Sequence, residues 1–284
     1  MGVHHQHFEE NLVGEDFVVG DLHGHFSDLV SQLRVAGFDE TKDRVFALGD
    51  LIDRGPESHR ALEFLAKPWF FSIRGNHDQM LLDAHANPVE STGPYGGGSS
   101  PIKMWMVNGG DWARTTLLGW ENEDEFDLWA SEFSQLPHLF SVEHKGKKFG
   151  MVHAEMPINN FADFAEEIRA QLEEQKDRDN SDFIHAVKSV EWALWARTYI
   201  QKANTFFSYL KDPQDRLKEM GEELWVEDMD FLLSGHTPLP TLAKMMVSNP
   251  AEPFFLGNRV YMDAGKFFTH DSGGKLILKK LSDF

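Results

Sequence analysis

The chain has 284 residues, 41% hydrophobic and 12% aromatic, a composition that sustains a large apolar core and excludes wholesale disorder. Its 27 Lys and Arg against 46 Asp and Glu give a formal charge of -19, which repels nucleic acids and anionic membranes; no run approaches the roughly 20 apolar residues that span a bilayer. With no cysteine, disulfides, iron–sulfur clusters and a thiolate nucleophile are excluded, so any bound metal must use Asp, Asn, Glu or His.

Met1 to Asn11 lacks the basic and apolar regions of a secretory signal, and residues 1–12 are expected to form a flexible terminus whose His4, His5 and His7 meet metal only incidentally. A cytoplasmic protein is the expectation. The first apolar run, Asp16 to Val19, leads into Gly20-Asp21-Leu22-His23-Gly24. Phe26, Leu29, Val30 and Leu33 then fall on one helical face, with Ser27 as the expected N-cap and Gly37 as the stop. Val45 to Leu48 leads into Gly49-Asp50-Leu51-Ile52-Asp53-Arg54-Gly55, and Phe70 to Ile73 into Arg74-Gly75-Asn76-His77-Asp78. Ser91 to Pro101 is Gly-rich and reads as a loop. Phe149 to Val152 precedes His153-Ala154-Glu155; Phe161, Phe164, Ala165, Ile168 and Leu172 then define a second amphipathic helix. The charged span from Glu166 to Asp182 is a solvated helix face followed by a turn. Phe231 to Leu233 precedes Gly235-His236-Thr237, and Arg259 to Asp263 and Lys275 to Leu281 read as strands without intervening helices.

Strands alternating with helices predict an α/β fold in one domain, residues 1–284, with part of the sheet mixed or antiparallel. Each polar cluster sits just past the C-terminal end of a strand, where functional groups of open α/β sheets collect. Asp21 and His23 are two apart and suit a chelate; Asp50 and Asp53 flank a second strand exit, Asn76 and His77 a third, and His153 and His236 end two more. Carboxylate, amide oxygen and imidazole together favour Mn2+, Fe2+ or Zn2+ over purely oxygen-loving ions. Six ligands are too many for one ion, and Asp50, with two oxygens, suits a bridge between two ions about 3.5 to 4 Å apart.

Gly20-Asp21-Leu22-His23-Gly24, Gly49 to Gly55 and Arg74 to Asp78 resemble, in order and spacing, the three signature motifs of the metal-dependent phosphoprotein phosphatases, of calcineurin-like metallophosphoesterase fold. Trp69-Phe70, Gln79-Met80, Asn108-Gly109-Gly110, His153-Ala154, Gly235-His236-Thr237-Pro238 and Tyr261 to Gly265 are similar to the bacterial and phage lambda-type branch, and the likeness spans nearly the whole chain. The resemblance implies a central β-sandwich of mixed sheets flanked by helices. It implies one metal on Asp21, His23 and Asp50, a second on Asp50, Asn76, His153 and His236, most simply Mn2+, and direct attack by a metal-bound hydroxide. It also implies that Arg54 and Arg197, with Asn76, bind the phosphoryl oxygens, that His77 is the general acid, and that Asp53 orients His77. The substrate is then a phosphorylated protein or peptide carrying phosphoserine or phosphothreonine, with phosphotyrosine as a further substrate, and neither nucleic acid nor membrane is a partner.

The sequence departs from the branch in places. His25 stands where Cys is frequent, which removes a thiol switch, and Glu155 stands where Asp or Gly is expected and reads as a surface residue of the rim. Trp105, Trp112, Trp192 and Trp195 are expected in the core rather than in a substrate groove. Segments 91–101, 159–181 and 203–223 are the expected insertions that set substrate preference. One rival is a dinucleoside tetraphosphate hydrolase or another metallophosphoesterase; Pro238 stands where a phosphodiesterase carries a second His. The other rival, a catalytically dead phosphopeptide-binding scaffold, is disfavoured because ligands, acid and Arg54 are all present.

Overall fold

The computed structural model describes residues 4–86, 100–116, 123–176, 187–266 and 276–284. Strands β2 (Asp16–Val19), β3 (Arg44–Ala47) and β4 (Phe70–Ser72) are parallel, and β10 (Leu278–Lys280) adds antiparallel to β2, so the first sheet runs β10-β2-β3-β4. The second sheet contains β1 (His5–Phe8), β5 (Leu139–His144), β6 (Lys147–Val152), β7 (Phe231–Ser234), β8 (Phe254–Leu256) and β9 (Arg259–Tyr261), in the order β1-β5-β6-β7-β9-β8. It is mixed: β1 with β5, β6 with β7 and β7 with β9 are parallel, whereas β5 with β6 and β8 with β9 are antiparallel.

Side chains alternate across a strand, so a strand that is apolar on both faces must lie between two cores. In β2 and β3, Phe17, Val19, Val45 and Ala47 pack under helix α1 (Phe26–Val35) with Phe26, Leu29 and Leu33. Val18 and Phe46 point the other way and meet Phe140, Val142, Phe149, Met151, Leu233 and Val260 of the second sheet. The outer face of that sheet, through Leu139, Val152 and Leu232, is covered by α7 (Phe161–Lys176) and α8 (Lys188–Trp195). The result is the expected sandwich of two mixed sheets flanked by helices.

The structure corrects several local expectations. Residues 5–8, expected within a flexible terminus, form an edge strand in parallel register with β5; His5 Nε2 and His7 Nδ1 lie 2.8 and 2.9 Å from Ser141 Oγ, and Phe8 packs edge-on against Phe46, Phe71 and Phe140. That pairing partner lies more than 130 residues away, which no local pattern announces. Ser27 is not the N-cap of α1; His25 holds that position, and the Glu57 carboxylate accepts both the Ser27 N–H and its hydroxyl. Gly37, at φ 76°, does end the turn beyond α1, while Val30 sits at the edge of the buried face and is 36% exposed. Residues 259–261 form a strand as expected, but parallel to β7 as well as antiparallel to β8. The Ser91 to Pro101 loop lies outside the described residues except for Ser100 and Pro101, which cap and begin α4 (Pro101–Val107). Of the charged span, residues 177–182 lie outside them too. Segment 203–223 is helical, in α9 (Thr198–Tyr209) and α10 (Pro213–Glu223).

Candidate functional site

The site is built from the loops that leave β2, β3, β4, β6 and β7, and these loops are strained. Among the described residues six non-glycine residues have positive φ, and five of them are His23, Asp50, Asp53, Arg54 and His236; only Lys145, in the β5–β6 hairpin, lies elsewhere. Such backbone persists only where surrounding contacts over-determine it, and it concentrates at functional sites. Two glycines make the loops fit: a Cβ at Gly75 would stand 2.2 Å from Asp50 N and Asp50 Oδ1, and one at Gly235 would stand 2.0 Å from Asp21 Oδ1. The Asp78 carboxylate ties the second and third loops by accepting Leu51 N–H (3.0 Å) and Gly75 N–H (2.8 Å).

Three imidazoles are each oriented by donating one N–H to a backbone carbonyl. His23 Nδ1 donates to Ile52 O (2.9 Å), His153 Nδ1 to Leu48 O (2.7 Å) and His236 Nε2 to Trp195 O (3.1 Å). The second nitrogen of each neutral ring therefore carries a lone pair. His153 Nε2 and His236 Nδ1 both face Asn76 Oδ1, at 2.9 and 2.8 Å, and His23 Nε2 and His153 Nε2 each lie 3.4 Å from an Asp50 oxygen. Arg54 Nη1 meets His23 Nε2 at 2.9 Å, but the lone pairs of His153 and His236 face the Asn76 oxygen, buried from water; this calls for a cation, and the donor set fits divalent ions. Among the described residues, Asp50 belongs to both groups whose ligand atoms lie mutually within 4.8 Å: His23, Asp50 and His77, and Asp50, His153 and His236.

Burial holds the His23 and His236 imidazoles well below their ordinary pKa and lowers that of His153, which keeps them neutral as ligands must be. Burial alone would raise Asp50, but His153, His77, His23 and His236, whenever they carry protons, outweigh it and lower the carboxyl far below the usual range. Asp21 is pushed well above that range by burial and by the charges of Asp263 and Asp50. Its carboxylate accepts the backbone N–H of His236 at 3.0 and 3.1 Å and belongs to neither ligand group.

His77 is the second residue of helix α3 (Asn76–Ala86), and its backbone N–H donates to Asp50 Oδ1 (2.9 Å). Its Nδ1 is paired with Asp53 Oδ2 at 2.7 Å, and both side chains are buried. Two residues that sequence reasoning assigned to the core complete this dyad. Trp105 Nε1 donates to both Asp53 oxygens at 3.0 Å, and Trp112 Nε1 to Oδ1 at 2.8 Å. Burial raises the Asp53 pKa, and the hydrogen bonds from His77, Trp112 and Trp105 act against that rise.

Arg54 is exposed at the rim; its Nη1 lies 2.9 Å from His23 Nε2, and its backbone N–H donates to Gly109 O (3.2 Å). Arg197, the N-cap residue of α9, reaches across to donate from Nη2 to His236 O (3.1 Å), so both arginines edge the same pocket. Asp263 was noted only as part of a motif. It is 2% exposed, accepts Gly265 N–H through Oδ1 (2.7 Å), leaves Oδ2 without a hydrogen bond, and is raised to about 7 chiefly by burial and by the Asp50 charge. Glu155, expected at the surface, is also buried.

Serine/threonine-protein phosphatase 1 of Salmonella typhimurium is 37% identical over 145 residues, covering 51% of this chain and 61% of that protein. Serine/threonine-protein phosphatase 2 of Escherichia coli is 36% identical over 152 residues, covering 54% and 63%. The match thus spans less than two thirds of either relative. A symmetrical bis(5'-nucleosyl)-tetraphosphatase of Hamiltonella defensa is 40% identical over 74 residues, covering 25% of this chain and 26% of that protein. The profile of calcineurin-like phosphoesterases matches residues 17–263, from the first strand of the parallel sheet to the buried Asp263, and so takes in all the loops that build the site. The chain belongs to the calcineurin-like phosphoesterase family.

Proposed function

We propose that the chain is a metal-dependent phosphomonoesterase that removes phosphate from phosphoserine and phosphothreonine in proteins and also accepts phosphotyrosine. The supporting observation is the pairing, in one buried pocket, of a convergent cation-binding set around Asp50 with a separate His77–Asp53 dyad and two arginines at the rim. In this reading Asp21, His23 and Asp50 hold one ion and Asp50, Asn76, His153 and His236 the other, with Mn2+ the best suited and Fe2+ or Zn2+ competent. When bound, the two ions lower the pKa of a water and offset phosphate charge.

The chain's own residues do the rest. Arg54 and Arg197 bind phosphoryl oxygens with planar guanidinium groups, and the Asn76 amide contributes to phosphate binding. His77 donates its Nδ1 proton to Asp53, so Nε2 is the nitrogen that gives a proton to the departing serine or threonine oxygen, a poor leaving group as an alkoxide. Asp53 stabilises the imidazolium that carries this proton. Two relatives are named serine/threonine-protein phosphatases, which supports the protein substrate. The tetraphosphatase relatives supply the rival substrate.

The test compares a phosphothreonine peptide with diadenosine tetraphosphate, each with Mn2+. Faster turnover of the peptide, by about tenfold or more in kcat/KM, is expected; the reverse order would assign the chain to the rival activity. A cytoplasmic setting belongs to the same reading and is checked by cell fractionation.

A further inference from the structure

Arg197 stands at an awkward place for a cation. As N-cap residue of α9 it sits at the positive end of the helix dipole, and its side chain makes no cap hydrogen bond. The missing acceptor comes from the loop after β6. The Glu155 carboxylate, 2% exposed, accepts Tyr199 N–H at 3.1 and 3.0 Å and Ile200 N–H at 2.9 Å, the second and third residues of the helix. It also accepts the Tyr261 hydroxyl at 3.2 Å. The same loop grips the end of α8, for Ala154 N–H donates to Ala193 O (2.8 Å) and Glu155 N–H to Trp192 O (3.3 Å). The α8–α9 turn is therefore fixed on both sides by the loop that carries His153, and Arg197 extends from it to His236 O.

We infer that Glu155 is a positioning residue for Arg197: by capping α9 from another loop it offsets the helix dipole and sets the guanidinium at the phosphate pocket. This rests on the reading of Arg197 as a phosphate-binding arginine. A carboxyl group accepting two helix N–H groups is directional, so its loss frees the first turn of α9 to shift, and an arginine displaced by about 1 Å loses the two-pronged geometry that makes it effective.

The experiment measures inorganic phosphate binding to the Mn2+-loaded protein by calorimetry, with metal content, for wild type, Glu155→Gln, Arg197→Ala and the double variant. Glu155→Gln is expected to weaken phosphate binding about tenfold, the worth of one charge-assisted hydrogen bond, while two metals per chain remain. The double variant is expected to bind no more weakly than Arg197→Ala alone, because the two changes remove one interaction. If Glu155→Gln does not fold, Glu155→Asp, which keeps the charge but shortens the reach, is expected to show the same non-additivity. Weakened binding in Arg197→Ala with unchanged binding in Glu155→Gln, or losses that multiply in the double variant, would overturn the positioning role alone. Unchanged binding in Arg197→Ala would overturn the phosphate-binding reading of Arg197 on which it rests.

Discussion

His77 and His236 are both buried imidazoles in one pocket, yet they are held by different partners, and the proposed function gives them different roles. A backbone carbonyl, as on His236 Nε2, orients a neutral ring and leaves its other lone pair for a cation. A carboxylate, as Asp53 on His77 Nδ1, stabilises a ring that carries a proton. His77 is nevertheless close enough to His23 and Asp50 to act as a ligand, so the two roles need separating. His77→Asn is expected to keep two metals per chain and to lose about 100- to 10,000-fold in rate. The loss should be larger for an alkyl phosphate, whose leaving oxygen needs the proton, than for an activated aryl phosphate. A plot of log rate against leaving-group pKa reads this directly; a mutant slope no steeper than wild type, or one metal lost, makes His77 a ligand or a structural residue.

At the scale of elements, short parallel strands end together and their strained exits are packed too closely to admit a side chain. At Gly75 an added Cβ would meet both the backbone and the carboxylate of Asp50. Gly75→Ala is therefore expected to displace the Asp50 loop and weaken Mn2+ binding by about 10- to 100-fold, read by metal titration of the folded variant. Wild-type affinity would show that Asp50 does not need its present place. The strand-exit residues were legible in the sequence because each follows an apolar run directly, so spacing alone brings Asp21, His23, Asp50, Asn76, His153 and His236 to one end of the sheets. What was illegible depends on contacts between distant segments. Trp105 and Trp112 reach Asp53 from 52 and 59 residues away, and Glu155 caps a helix 44 residues on. Trp105 is in the core as expected, with its contact to Asp53 invisible until the fold is known, whereas Glu155, which reads as surface, is buried. Strand β1 is illegible for the same reason, being short, polar and paired across nearly half of the chain.

For the whole molecule, the buried carboxylates make the metal-free protein sensitive to pH. Asp263 is raised to about 7 from its ordinary value of 3.8, so the folded state keeps a proton that the unfolded chain releases. Its contribution to stability is fully present below the unfolded pKa and is lost as pH rises through about 7. Asp21 and Asp78, both shifted up chiefly by burial, act in the same direction. The buried imidazoles of His23, His138, His153 and His236 are shifted down from 6.5, so their contribution is present above 6.5 and is lost as pH falls through their lowered folded values. In the presence of a chelator, Tm is expected to rise as pH falls from about 8 to about 7 and to decline again in acid. Asp263→Asn, close in shape but unable to ionise, should flatten the rise on the alkaline side. An unaltered slope in this variant would show that Asp263 does not titrate in that window.

The most direct measurement is phosphothreonine-peptide hydrolysis by protein stripped of metal and then titrated with Mn2+, with bound metal counted in the same samples. The expected result is no turnover after stripping and a rate that reaches its plateau at two Mn2+ per chain, since Asp50 faces both ligand groups. Turnover that survives complete removal of metal, or that is already maximal at one ion per chain, would contradict a two-metal phosphatase.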